Sequence, residues 1–301
     1  MGISAFIDYI RVERRYSEHT VRAYEQDLQE FCSFIKCKPE EWEPCRTTTD
    51  DVRLWLVDML DKGASVRTVR RKMSSLRSYY KYLLRLGKVE SDITRSVITP
   101  RVSKPLPVFF KEKEMERAEE QMEWSDDFRS LRDSLVIEML YETGMRRAEL
   151  VGLTDADIDL SQQQVRVFGK RRKERIVPFG DRLTEMIREY LLLREREFGE
   201  VVFGNAGDRA FFLGDKGKPL TAAQLYSIVR ARMGEVSSLK KHSPHVLRHT
   251  FATTMLNNGA DINTIKDLLG HASLAATQVY THTTFEQLRE AYKKAHPRAV
   301  K

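Results

Sequence analysis

His245-Val246-Leu247-Arg248-His249, followed by Gly270-His271 and then Tyr280, is the stretch on which the reading of this chain turns. His, Arg and Tyr side chains handle phosphate, and here they recur inside segments whose other residues read as buried helix. An apolar core has no use for imidazoles, a guanidinium and a phenol at such places. A site that cuts a phosphodiester with a protein nucleophile does.

Pro244 suits a first helical turn, and His245 and Arg248, three apart, then share a helix face near a helix N-terminus, where a phosphate can accept from both. His249 is adjacent to Arg248 and is expected to point elsewhere and serve structure. Gly270 closes a helix that begins near Asp261, which puts His271 at its C-terminal end. Taken alone, Tyr280 reads as an ordinary core aromatic. As a nucleophile it needs help, because a free phenol has a pKa of about 10, and nearby arginines and a lysine favour the phenolate. His242, His245, His249 and His271 raise a zinc alternative. No Cys or acidic ligand accompanies them at a familiar spacing and Arg248 repels a cation, so no metal is expected.

Upstream, Leu135, Val136, Met139 and Leu140 predict a helix that Gly144 terminates, with a new turn at Ala148. Arg146 therefore sits at a helix end, where its fork can bind two phosphate oxygens; on this motif alone, a surface pair with Glu149 or Glu142 accounts for it equally well. Val165-Arg166-Val167-Phe168 and Arg175-Ile176-Val177 read as short strands around a charged hairpin loop, Gly169 to Glu174. Lys170 or Lys173 in that loop has the reach to protonate a departing 5′ oxygen or to clamp a backbone. Further helices are predicted near 111–122, 128–142, 181–197, 221–233, 244–257 and 261–269.

The first hundred residues read as helices only. Val21, Tyr24, Leu28, Phe31 and Ile35 follow a Ser17 cap; Val52, Trp55, Leu56 and Met59 follow a Thr49 cap and stop at Gly63; Val66, Val69, Met73, Leu76, Tyr80 and Leu83 follow Ser65 and stop at Gly87. Phe6, Ile7 and Ile10 mark a fourth helix, giving a small bundle with short loops. From Val66 to Val89 there are basic residues and no acidic one. Arg67, Arg70, Arg71, Lys72, Arg77 and Lys81, with Arg85 and Lys88, are expected to cover the face opposite the apolar stripe and to contact DNA phosphates. Pro100, Pro105 and Pro107, interleaved with Arg101 and Lys104, oppose helix and predict an extended linker. The expected organisation is a helical domain over 1–98, a linker over 99–107 and a mixed α+β domain over 108–301.

A formal net charge of +7 on 301 residues fits a polyanionic partner. Cys32, Cys37 and Cys45, odd in number and without metal spacing, fit a reducing compartment. The N-terminus carries Asp8 and Glu13 and lacks a long apolar run, so it does not read as a signal peptide, and no window reaches the length needed to cross a bilayer. A cytoplasmic protein is expected, without a membrane partner.

Together these residues resemble the tyrosine recombinases, or λ-integrase-like site-specific recombinases. Gly144-Met145-Arg146 with Glu149-Leu150 is similar to the first arginine motif, Gly169-Lys170 to the hairpin lysine, and His245-Val246-Leu247-Arg248-His249-Thr250-Phe251-Ala252-Thr253 to the H-x-x-R box. Leu268-Leu269-Gly270-His271 is similar to the second histidine motif, and Val279-Tyr280-Thr281-His282 carries the nucleophile. All the expected positions are filled, in order. The helical part resembles the family's SAM-like four-helix core-binding domain. The length and the ending Ala295-His296-Pro297-Arg298-Ala299 resemble the Xer subgroup, while Arg171-Arg172 departs from the small residues more usual there.

The resemblance implies a mainly α fold with a small β-sheet: a SAM-like four-helix DNA-binding bundle and a tyrosine-recombinase catalytic domain. It implies that Tyr280 attacks the scissile phosphate to form a 3′-phosphotyrosyl link, and that Arg146, Arg248 and His271 hold the non-bridging oxygens. Lys170 then protonates the leaving 5′ hydroxyl, and His245 assists proton transfer or phosphate binding. No metal, nucleotide or other cofactor is implied, since the covalent link conserves bond energy. The implied partners are double-stranded DNA carrying a specific recombination site, self or a paralogous recombinase in a tetrameric synaptic complex, and, for a Xer role in resolving chromosome dimers at cell division, a septal DNA translocase. The segment Phe285 to Ala295 is amphipathic and suits docking on a neighbouring subunit or packing within its own. The alternatives are the same chemistry in the integrase of a phage or conjugative element, a nicking and closing topoisomerase of type IB, and a DNA-binding protein with a vestigial site.

Overall fold

The computed structural model describes residues 2–101, 108–121, 127–169, 174–199, 209–270 and 282–299. Lys170, His271 and Tyr280 lie outside the described residues. The chain divides into two units, Met1–Pro105 and Leu106–Lys301.

In the first unit, side-chain caps set where helices begin. Ser17 accepts from the Thr20 amide to start α2 (Glu18–Phe34), and Ser65 accepts from the Thr68 amide to start α4 (Val66–Arg85). For α3 (Thr49–Asp61) the cap is Thr48, one residue earlier than the sequence reading placed it. A capping box needs an acid three positions on, and Asp51 supplies it, returning a bond to the Thr48 amide. The opening helix α1 (Ile3–Asp8) runs into a π-helical turn, Tyr9–Glu13, which keeps Phe6, Ile7 and Ile10 all turned inward. These pack with Val21, Leu28, Phe31, Trp55, Met73, Leu76, Tyr79 and Tyr80 into one core. Cys32 is buried, Cys45 is exposed, and all three thiols are free.

The second unit is built on α6 (Phe128–Thr143), a helix buried on nearly every side, whose buried charged residues, Arg132, Glu138 and Glu142, each meet polar partners. Around it lie α8 (Asp181–Phe198), α9 (Ala222–Val236) and α10 (Pro244–Asn257), with α5 (Glu112–Gln121) packed on α9. A short α7 (Arg147–Val151) leads into a three-stranded antiparallel sheet, β1 (Ile158–Asp159), β2 (Gln164–Phe168) and β3 (Glu174–Pro178), in that order. The β2–β3 hairpin pairs Val165 with Val177 and Val167 with Arg175. β1 escaped the sequence reading because two residues leave no period to detect.

α11 (Ile262–Leu269) ends in the left-handed Gly270, as its sequence predicted. Gly144 ends α6 in the same way, at φ +58°, and a Cβ there would lie 2.5 Å from Phe251 Cδ1 and 2.9 Å from Leu269 Cδ2. The ends of α6 and α11 and the middle of α10 therefore meet at a point with no room for a methyl group.

The final helix α12 (His282–Ala295) presents Leu288, Tyr292 and Ala295 to its own domain, packing on β3, α10 and α11. Of the two docking modes open from the sequence, this is the intramolecular one. The Tyr292 hydroxyl donates to Glu142 Oε2 at 2.9 Å, and the Gly180 amide donates to the same oxygen. Arg298 pairs with Glu138 at 2.8 Å and with Glu119. Burial pushes the Glu138 and Glu142 carboxyls up, Glu142 further through the neighbouring charge of Glu138, and burial holds the His296 imidazole neutral by lowering its pKa to about 3.

Gly144→Ala combines a left-handed backbone with a clash against Phe251. It should lower the stability of the second unit by about 2 kcal/mol or more, read as a lower urea midpoint; an unshifted midpoint contradicts the packing described.

Candidate active site

The last carbonyls of a helix lack intrahelical partners. At the end of α11 three of them, in succession, accept from three different arginines. Arg175 Nε donates to Leu268 O at 2.7 Å, Arg248 Nη2 to Leu269 O at 2.6 Å, and Arg146 Nη2 to Gly270 O at 3.3 Å. Cations at this end also complement the helix dipole. Arg248 reaches in the other direction to the end of α6, donating from Nη1 to Gly144 O at 2.6 Å.

Glu149 holds the arginines in register. As the third residue of α7 it accepts from the Arg146 amide at 2.7 Å and from Arg146 Nη1 at 2.6 Å. Its two oxygens also meet the Arg175 fork, at 3.1 and 2.8 Å. Burial alone would raise this carboxyl, but Arg175 and then Arg146 hold it down at about 2. The ion pair with Glu149 and the placement of Arg146 at a functional end thus hold together, where the sequence reading treated them as alternatives. Arg146 keeps its side chain 43% exposed, whereas that of Glu149 is 5% exposed, so the guanidinium is anchored on one edge and open on the other.

Arg248 is buried. Burial, then Arg146 and Arg175, lower its pKa to about 10, so it stays charged at neutral pH while sitting among like charges. Such a cluster favours an anion. His245, one turn earlier on α10, is exposed, and burial of part of its ring followed by His249, Arg248 and Lys241 pushes its pKa down. The expectation that His249 points elsewhere is corrected: its Nε2 lies 3.1 Å from His245 Nε2, with ring centroids 4.4 Å apart. Adjacency to Arg248 misled that reading, because the pair that shares a face is His245 and His249, at i and i+4.

Arg146 and Arg248 are thereby assembled from the start of α7 and from α10 around the end of α11, with His245 one turn before Arg248. Glu149 and Arg175 were not assigned to the site from sequence. Arg175 left a signal: it shares the inward face of β3 with Val177, opposite Val167, and a charged residue at an inward strand position requires a partner. Among the described residues no group of three His, Cys, Asp or Glu side chains is arranged to hold a metal ion, and no helix is long and apolar enough to cross a membrane.

The basic helix α4 differs in part from its expected picture. Arg71 donates to the buried Asp27 on α2, which also accepts from Ser75 at 2.7 Å; Lys72 pairs with Glu30; and Arg77 donates to Val97 O at 2.7 Å. Lys72 and Arg77 flank Met73 and Leu76, at the edge of the apolar stripe, and so meet neighbouring chain rather than solvent alone. Arg67, Arg70 and Lys81 are exposed.

Comparison with known proteins agrees with this architecture. The phage integrase family matches residues 109–287, and its N-terminal SAM-like domain matches residues 3–87. The chain is 40% identical to tyrosine recombinase XerC of Listeria innocua, covering 98% of this chain and 97% of the relative. It is 36% identical to XerC of Bacillus subtilis, covering 99% and 97%. A crystal structure of XerH site-specific recombinase bound to difH substrate superposes with a TM-score of 0.67 at 26% identity, covering 93% of this chain and 80% of that one. The Tn1549 transposon integrase shares the fold, with a TM-score of 0.70 at 18% identity over 94% and 96%. The chain belongs to the phage integrase family of tyrosine-type site-specific DNA recombinases. Within that family its sequence is similar to the XerC proteins over nearly their whole length.

Glu149→Gln removes the charge that holds Arg146 and Arg175. Strand cleavage should fall by about 100-fold through misplacement of the guanidiniums, while DNA binding in a gel-shift assay is retained. Because the carboxyl is depressed in the folded state, its stabilisation is present above about pH 4.5 and lost as the pH falls towards about 2. The variant should therefore show a flatter acid-unfolding curve across that window; equal slopes would remove Glu149 from this role.

Proposed function

We propose that this recombinase cuts one DNA strand by attack of the Tyr280 phenol oxygen on the scissile phosphorus, leaving a 3′-phosphotyrosyl link and a free 5′ hydroxyl. Arg146, Arg248 and His271 hold the non-bridging oxygens, Lys170 gives a proton to the departing 5′ oxygen, and His245 assists the phosphate or the proton. A 5′ hydroxyl from the partner duplex then reverses the step. The observation that carries this reading is the convergence of Arg146 and Arg248 on successive carbonyls, Gly270 and Leu269, directly before His271. Arginines gathered around the Glu149 carboxylate present an excess of positive charge to an anion.

DNA is gripped by the helical domain, 1–98, through the exposed Arg67, Arg70 and Lys81 of α4, with 99–107 as the linker and 108–301 as the catalytic domain. The biological setting we infer is the cytoplasm. There four active subunits, of this chain alone or with a paralogous recombinase, resolve chromosome dimers at a specific site with a septal DNA translocase. The likeness to XerC proteins at 36 to 40% identity favours this setting over a mobile-element integrase.

On a nicked suicide substrate, Tyr280→Phe should abolish the covalent protein–DNA adduct and leave binding intact. A chelator should leave the wild-type adduct yield unchanged; adduct formation by the Phe variant removes Tyr280 as nucleophile. The triple change Arg67→Ala, Arg70→Ala and Lys81→Ala should weaken binding across all sequences. It should reduce the slope of log affinity against log salt by about 2 to 3, and an unaltered slope takes α4 out of the DNA interface.

A further inference from the structure

The His245–His249 pair is not accounted for by any of the roles above. Their Nε2 atoms stand 3.1 Å apart, at hydrogen-bonding distance, one turn apart on the first half of α10. Two imidazole nitrogens can hydrogen-bond only when one carries a proton and the other does not, so the contact fixes complementary tautomers. We propose that His249 is a positioning residue that shares one proton with His245, fixing both the orientation and the charge of the imidazole beside the scissile phosphate.

The physical consequence is a coupled pair. With one proton between the two Nε2 atoms, both rings are neutral and hydrogen-bonded. One further proton spreads over the pair, but a second would put two positive rings 3.1 Å apart. Among the described residues, the charged groups acting on His245 besides His249 are Arg248, on the same helix, and Lys241, in the segment before it. Arg146 and Arg175, with Glu149 opposing them, act in turn on Arg248. All the groups acting directly on His245 oppose a doubly protonated pair. A doubly protonated pair is therefore disfavoured. In the singly protonated pair each ring keeps its Nδ1 proton, so the bridging proton can move between the rings, the N–H bond at one Nε2 breaking as the bond at the other forms. His249 is partly exposed, so replacing it leaves no cavity in the core.

The proposal rests on the assignment of His245 to the active site, and the experiment separates the two. His249→Gln keeps an amide in reach of His245 but removes the titrating ring, and His249→Ala removes both. Cleavage of a suicide substrate is followed from pH 5 to 9 in parallel with the imidazole carbon-bound proton signals of the free protein. Losing the second ring removes the partner that shares the proton, so the two-step titration of the pair should collapse to a single step with a shifted midpoint. The acid limb of the rate profile should move with it in both variants, while Gln recovers more of the plateau rate than Ala. A uniform drop in rate with no movement of either midpoint overturns the proposal and leaves the His245 assignment standing. If His245→Ala leaves cleavage by the wild-type chain unchanged, the assignment itself fails, whatever the His249 variants do.

Discussion

Three guanidinium groups donating to three consecutive carbonyls at the end of α11 are the constraint on which the catalytic unit depends. Each comes from a different element: Arg146 from the start of α7, Arg175 from β3 and Arg248 from α10. The bonds fix a helix terminus in a chain where that terminus leads directly into the second histidine motif. They also force like charges together, and burial, followed by the repulsion of Arg146 and Arg175, lowers the pKa of Arg248. Glu149 relieves part of it by meeting two of the three. What is left over is positive potential beside an exposed imidazole, in an enzyme whose substrate is a phosphodiester. The arginines proposed to hold phosphate are the ones that cap α11.

The same economy appears in the helical unit. Asp27, almost fully buried on α2, accepts from Arg71 and Ser75 on α4, and Lys72 reaches Glu30. These bonds fix the roll of α4 about its own axis, because a buried carboxylate without its partners would be costly. With the roll set, the arginines one turn away on the outer side face solvent. Part of the positive charge of this helix orients the rest.

Much of the architecture was readable from periodicity and punctuation. The stripes of α2, α3 and α4, the glycines after α6 and α11 and the alternation in β2 and β3 each encode local structure in a few neighbouring residues. What escaped depends on contacts distant in sequence or too short to show a period. β1 has two residues; the turn at Tyr9–Glu13 widens to π because the apolar residues of α1 must keep one face. Arg175 was read only as the first residue of a short strand, and its inward-facing place beside the arginine cluster escaped because its partner Glu149 lies 26 positions away. His249 was misjudged by comparing it with its neighbour in sequence rather than with the residue one turn back. Of the six residues that the resemblance singled out, Arg146 and Arg248 converge on the end of α11 with His245 one turn before Arg248, while Lys170, His271 and Tyr280 lie outside the described residues; the carboxylate scaffold of the arginines was not legible.

The tail of the chain belongs to the interior. Tyr292 and Arg298 close over carboxyl groups of α6 that would otherwise face water, and the Arg298 carbonyl lies against Gly180 so tightly that a Cβ there would approach to 2.2 Å. On the ribosome, α6 emerges roughly 150 residues ahead of these partners. Until residues 292–298 have been added, Glu138 and Glu142 lack the partners that cover them, so the interior of the catalytic half is completed last in synthesis.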